Sequence, residues 1–93
     1  MPFKEGSIPK TREEAVDHML AVLGHKEKEL IRNADESNLI QFGFGLGKGM
    51  RQTFHLWLGN KDLLRACGSE TMHPKDATMV IIEALWRRLQ TRD

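Results

Sequence analysis

The chain has 93 residues, 40% hydrophobic and 29% charged, with a net charge of +1. That length and composition make one folded domain and exclude a disordered chain; such a domain buries about 60–68% of its unfolded surface around a single core. Residues 1–46 carry 6 basic and 8 acidic side chains (−2) and residues 47–93 carry 8 and 5 (+3), an asymmetry too mild for a dedicated DNA-binding domain.

Residues 1–10 contain Pro2, Gly6 and Pro9 with few apolar groups. A loose arm is expected there, ahead of a single helical domain over 11–93. The arm has no apolar h-region, so it does not read as a signal peptide. No apolar run approaches the ~18 residues of a membrane span. The single cysteine, Cys67, allows no intramolecular disulfide, which makes the cytoplasm the expected location.

The first helix is expected over "TREEAVDHMLAVLG". Thr11 and Glu14 have the spacing of a capping box. Val16, Met19, Leu20 and Leu23 form an i, i+3, i+4, i+7 stripe, and Gly24 suits the C′ stop. A shorter helix follows in "HKEKELIRNA", with little apolar surface beyond Leu30 and Ile31. Asp35 or Ser37 can cap the next element.

That element contains "QFGFGLGKGMRQTF", with glycine at 43, 45, 47 and 49. A phosphate loop needs G-x-x-x-x-G-K-[ST]; Gly47-Lys48 could supply the GK, but residue 42 is Phe and residue 49 is Gly. The dinucleotide pattern G-x-G-x-x-G fails too, at Lys48 and Met50. A strand with four glycines is poor, and no partner strands are evident.

A helix costs about 1 kcal/mol per glycine relative to alanine. At ~100° per residue, however, Leu39, Phe42, Leu46, Met50, Thr53 and Trp57 fall on one stripe. Gly43 and Gly47 flank it on one edge, and Gly45 and Gly49 on the other. Each pair makes a small-x-x-x-small groove for a neighbouring backbone. The expectation is a central helix over about 36–57, gripped on both sides, with alanine destabilising at Gly45 and Gly47 alike.

"GNKDLLRACG" reads as a short helix with Asn60 as N-cap, Asp62 in its first turn and Gly68 as its stop. "PKDATMVIIEALWRRLQTRD" reads as the last helix. Pro74 suits N1, Asp76 lies at N3, and Arg87, Arg88 and Arg92 favour the C-terminal end. It is apolar over most of its circumference, apart from a strip with the i, i+4 pair Glu83 and Arg87. Such a helix is central to the core or half of a dimer interface. The fold class is therefore all-α: a compact single domain of four to five helices around a central glycine-containing helix.

Six residues are candidates for binding a ligand or partner: Phe44, Arg51, His55, Asn60, His73 and Asp76. Phe44, Arg51 and His55 share the back of the expected central helix with Ile40, combining an aromatic, a cation and an imidazole. The structural alternative makes Arg51 a cap or ion-pair partner, Asn60 a cap and His73 part of a helix start. Trp57 is expected in the core. His18, His25, His55 and His73 have no metal-ligand spacing, and Cys67 lacks a second ligand pair. No metal and no cofactor are expected, and no Ser-His-Asp, Cys-His or paired-carboxylate set can be argued. The last helix is apolar where a recognition helix would be basic, so nucleic acid is not the expected partner.

From Thr11 to Leu89 the chain resembles a family of small bacterial proteins of uncharacterised function. The shared features are "FGFGLG", Arg51, "FHLWLGN" and "HPKDATMVIIEALWRRL"; Thr78 stands where the family usually has Ser, and Gly49 is an additional glycine. The resemblance implies a compact helical domain and draws attention to Arg51, Asn60, His73 and Asp76, with no activity attached. The expected function is a non-catalytic protein-interaction or regulatory module, with self-association through the last helix or the Trp57 surface among its routes. The alternative is a small-ligand binder or enzyme that gathers Arg51, His55, Asn60 and His73 in one pocket.

Overall fold

The computed structural model describes residues 8–91. Among them the chain forms α1 (Arg12–Val22), α2 (His25–Arg32), a 3-10 helix (Glu36–Gly43), α3 (Leu46–Thr53), a short 3-10 helix (Leu56–Leu58), α4 (Lys61–Cys67) and α5 (Pro74–Thr91). No strand occurs among the described residues. The all-α class is met with more helices than the four to five expected. The expected arm falls outside the described residues up to Ser7; Pro9, beyond it, is fully buried. Arg92 also lies outside them.

Four helices follow from local signals. Thr11 caps α1, its Oγ1 accepting from the Glu14 N–H at 3.1 Å, and the Glu14 carboxylate accepts in return from the Lys10 N–H at 2.8 Å. This is a capping box with its return bond moved one residue outward. Gly24 does not stop α1 in a left-handed conformation. It sits at the extended N-cap position of α2 (φ −74°, ψ 169°). Asn60 caps α4, and Gly68 (φ 154°) ends it with its N–H and that of Ser69 both bonded to the Leu64 carbonyl. Pro74 opens α5 as its first residue.

The expected central helix over 36–57 does not form. The segment breaks at Phe44-Gly45 and again at His55, which takes a left-handed conformation (φ 57°, ψ 36°). Its first part winds as a 3-10 helix, and only Leu46–Thr53 is α-helical. The breaks change which side chains reach the core. Leu39, Met50, Phe54 and Leu56 are buried, whereas Trp57, expected inside, is 56% exposed. The turn at His55 rotates Leu56 inward in its place.

The central element is α5. It packs against α1, α2, α3, α4 and the 3-10 helix. Ala77, Thr78, Ile81, Ile82, Leu85 and Leu89 are all buried, which accounts for its wide apolar surface. Its C-terminal half is tied to the end of α2: Trp86 Nε1 donates to the Ala34 carbonyl at 2.9 Å, and Arg32 Nε to the Leu89 carbonyl at 3.0 Å.

The glycines divide. A Cβ at Gly47 would stand 2.9 Å from Thr78 Cγ2, and one at Gly43 3.3 Å from Met79 Sδ, so this pair lets the glycine-rich segment approach α5. Gly45 and Gly49 would meet nothing within 4 Å. Only one edge is gripped, which overturns the expectation that alanine at Gly45 destabilises.

Candidate binding cleft

Three of the six candidate residues meet in one concave site of about 290 Å³. The 3-10 helix and its exit supply Ile40, Gly43 and Phe44; α3 supplies Arg51; the first turns of α5 supply Lys75, Asp76 and Met79. The contact of Gly43 and Gly47 with Met79 and Thr78 sets the two walls this close. The break after Gly43 leaves Phe44 at the rim, 79% exposed, beside Ile40 at 64%.

Arg51 is half-buried, and its Nη2 donates to the Gly43 carbonyl at 3.4 Å. That carbonyl belongs to the end of the 3-10 helix, where acceptors lack an intrahelical partner, so the guanidinium acts as a long, weak cap. Among the described residues no carboxylate pairs with Arg51, whereas Arg32, the other half-buried arginine, pairs with Glu29. Asp76 is exposed in the first turn of α5, where a carboxylate complements the helix dipole. Lys75 is exposed beside it.

The other three candidates lie elsewhere. Asn60 is buried and structural. Its Nδ2 donates to the Pro9 carbonyl at 3.0 Å and the Phe54 carbonyl at 2.8 Å, and its Oδ1 accepts from the Leu63 N–H at 3.3 Å. His73 precedes α5 and caps it, with Nδ1 accepting from the Lys75 N–H at 3.0 Å. Such acceptance requires the neutral tautomer with its proton on Nε2. The ring also stands edge-on to exposed Trp57, centroids 5.3 Å apart. His55 is the exposed left-handed turn, and its carbonyl accepts from the Asn60 N–H at 3.2 Å.

Among the described residues the cleft thus offers an apolar wall, a guanidinium, an ammonium and one carboxylate, and no imidazole, thiol or hydroxyl lines it. That set can recognise, but it holds no nucleophile with a base beside it. Cys67 is buried away from the cleft, and burial pushes its thiol up to about 11, against the opposing pull of Arg12. It carries almost no thiolate at neutral pH. Among the described residues, no three His, Cys, Asp or Glu side chains gather into a metal-ligand group, and no helix is long and apolar enough to cross a membrane.

Lys75 and Met79 escaped the reading of the sequence. Nothing in their own pattern links the first turns of α5 to residues 40–44; the only pointer was the Gly43–Gly47 pair, which called for a close neighbour without naming it.

The described residues form a small all-helical domain with one concave site that brings Phe44, Arg51 and Asp76 together. Residues 8–89 match the model of a family described as a domain of unknown function, DUF6794, and the chain belongs to that family. No curated protein and no solved structure matches it.

Proposed function

We propose that the protein is a non-catalytic interaction module whose docking face is the cleft around Phe44. The observation that carries this reading is the adjacent exposure of Phe44 and Ile40, 79% and 64%, on the rim of a concave site. Full burial of such a side chain is worth about 1.5–3 kcal/mol, and a partner that covered both would collect that gain. The enzyme or ligand-binding alternative required Arg51, His55, Asn60 and His73 in one pocket. They are dispersed: Asn60 and His73 each satisfy local backbone groups, and only Arg51 lines the cleft. Self-association through α5 is the weaker route, because Ala77, Ile81, Ile82, Leu85 and Leu89 of that helix are buried in the core. The Trp57 surface remains its route, and sedimentation of the 10.7 kDa chain tests it.

The test of the docking face is site-specific photo-crosslinking. A photoreactive amino acid at position 44, in cells of the source organism, should capture a protein that rebinds the purified chain. Rebinding should be lost in Ile40→Ser, with the fold intact by circular dichroism. A probe at Gln52, exposed on α3 outside the cleft lining, should not capture it. Equal capture from both positions would reject the cleft as the docking face.

A further inference from the structure

We infer that the occupant of the cleft is a peptide segment of a partner protein that presents one bulky apolar side chain next to a carboxylate. The apolar group lies against Ile40, Phe44 and Met79, and the carboxylate on Arg51 and Lys75. This rests on the docking reading and adds the chemistry of the partner.

The cleft is about 290 Å³, at the low end of the range of about 300–1,000 Å³ typical of small-molecule sites, and one bulky side chain can fill it. Charge argues for the acid. Arg51 and Lys75 against Asp76 leave the cleft at +1. Arg65, Arg87 and Arg88 are, like Arg32, engaged with carboxylates of this chain. The Arg51 guanidinium instead has one long bond to a carbonyl, so its remaining donors can take an incoming carboxylate at the cost of little.

The direction of the segment follows from the neighbouring hollow. Ile40 and Met79 also line that second depression, of about 250 Å³, whose polar groups include Glu36 and Glu83. Arg87 bridges those two glutamates at 3.5 and 3.3 Å, leaving −1 there. An acid is therefore attracted at the Arg51 end and repelled at the other, which orients the segment across the Ile40–Met79 ridge.

The experiment is an NMR titration of the full chain with three blocked hexapeptides built on one Leu-Phe pair, flanked by Glu, by Gln or by Lys. The Glu peptide should shift the amides of Ile40, Phe44 and Met79 and bind about five- to tenfold more tightly than the Gln peptide, as expected for one charge-assisted contact. The Lys peptide should bind more weakly still. Arg51→Gln should remove the difference between the Glu and Gln peptides. Lys75→Gln, on an exposed helix surface where the fold is not at stake, should reduce it. Equal binding of all three peptides at the cleft overturns the charge inference and leaves the docking face standing. The absence of any shift at millimolar peptide also overturns it, and the docking reading then depends on crosslinking from position 44 alone.

Discussion

Two stretches of this chain are rich in apolar residues, and they behave in opposite ways. Pro74–Thr91 is one unbroken helix that contacts nearly every other element, and most of its apolar surface is taken up in the core. Residues 36–58 have a comparable apolar stripe on paper but break twice, and they leave Ile40, Phe44 and Trp57 exposed. The difference lies in backbone cost. α5 contains no glycine, whereas four glycines within seven residues withdraw about 4 kcal/mol of helix propensity from the other stretch. Packing recovers that only where a neighbour fills the groove, and only Gly43 and Gly47 have such a neighbour. The continuous region holds the fold together, and the broken one leaves large apolar side chains on the surface.

The comparison can be broken most severely at the centre of α5. Leu85→Ala removes a fully buried side chain and should cost about 2–5 kcal/mol by urea unfolding. Phe44→Ala should change stability by less than about 0.5 kcal/mol, as surface substitutions usually do. A large loss at Phe44 would show that the rim supports the fold and is not held out for a partner.

Next in size is the contact that joins the two regions. Gly47→Ala places a methyl 2.9 Å from Thr78 Cγ2, inside a buried contact, and should cost about 1–3 kcal/mol as overpacking despite alanine's better helix propensity. Thr78→Ser removes that Cγ2 and keeps the hydroxyl that donates to the Pro74 carbonyl at 2.7 Å. The double variant should therefore recover part of the loss, a coupling that a thermodynamic cycle measures directly. Additive effects would mean the close approach is made elsewhere.

At the other glycine edge the sign reverses. A Cβ at Gly49 meets nothing within 4 Å, and Gly49 lies inside α3. Gly49→Ala should stabilise the chain by about 0.5–1 kcal/mol, read as a higher midpoint in urea. Loss of stability there would mean that glycine is needed at 49 for something other than room.

These contrasts also mark how far the residues could be read in advance. Caps and stops act within a few residues, so Thr11, Asn60, Gly68 and Pro74 revealed α1, α4 and α5 correctly. A helical wheel assumes an unbroken axis. It therefore placed Trp57 inside and both glycine pairs in grooves, and neither the left-handed turn at His55 nor the 3-10 winding of Glu36–Gly43 announces itself in composition. Phe44 and Arg51 do not share the helix face that their spacing predicts, yet they line the same cleft because the chain folds back against α5. Asp76 joined them only in three dimensions, with Lys75 and Met79, since contacts between distant segments leave no local trace. The polar positions Asn60 and His73 drew attention for their chemistry, and they spend it on backbone groups.

The smallest effect concerns the junction where the broken region turns. His18 of α1 stands edge-on to Phe54, ring centroids 5.5 Å apart, immediately before the His55 turn. Burial lowers its pKa below the ordinary 6.5. The unfolded chain therefore takes up a proton on His18 more readily than the folded one. Where the unfolded state binds more protons, stability rises with pH. The contribution of His18 is thus complete above about 6.5 and is lost as the pH falls through its lower folded value. Because the ring is only partly buried, the loss is modest, smaller than the effects expected at Leu85, Gly47 and Gly49. Urea midpoints at pH 7.5 and 5.5 should fall together with acidification in the native chain, and the fall should be smaller in His18→Leu, which keeps an apolar group against Phe54 and cannot titrate. An unchanged pH dependence in that variant would transfer the effect to other groups and remove His18 from the junction's energetics.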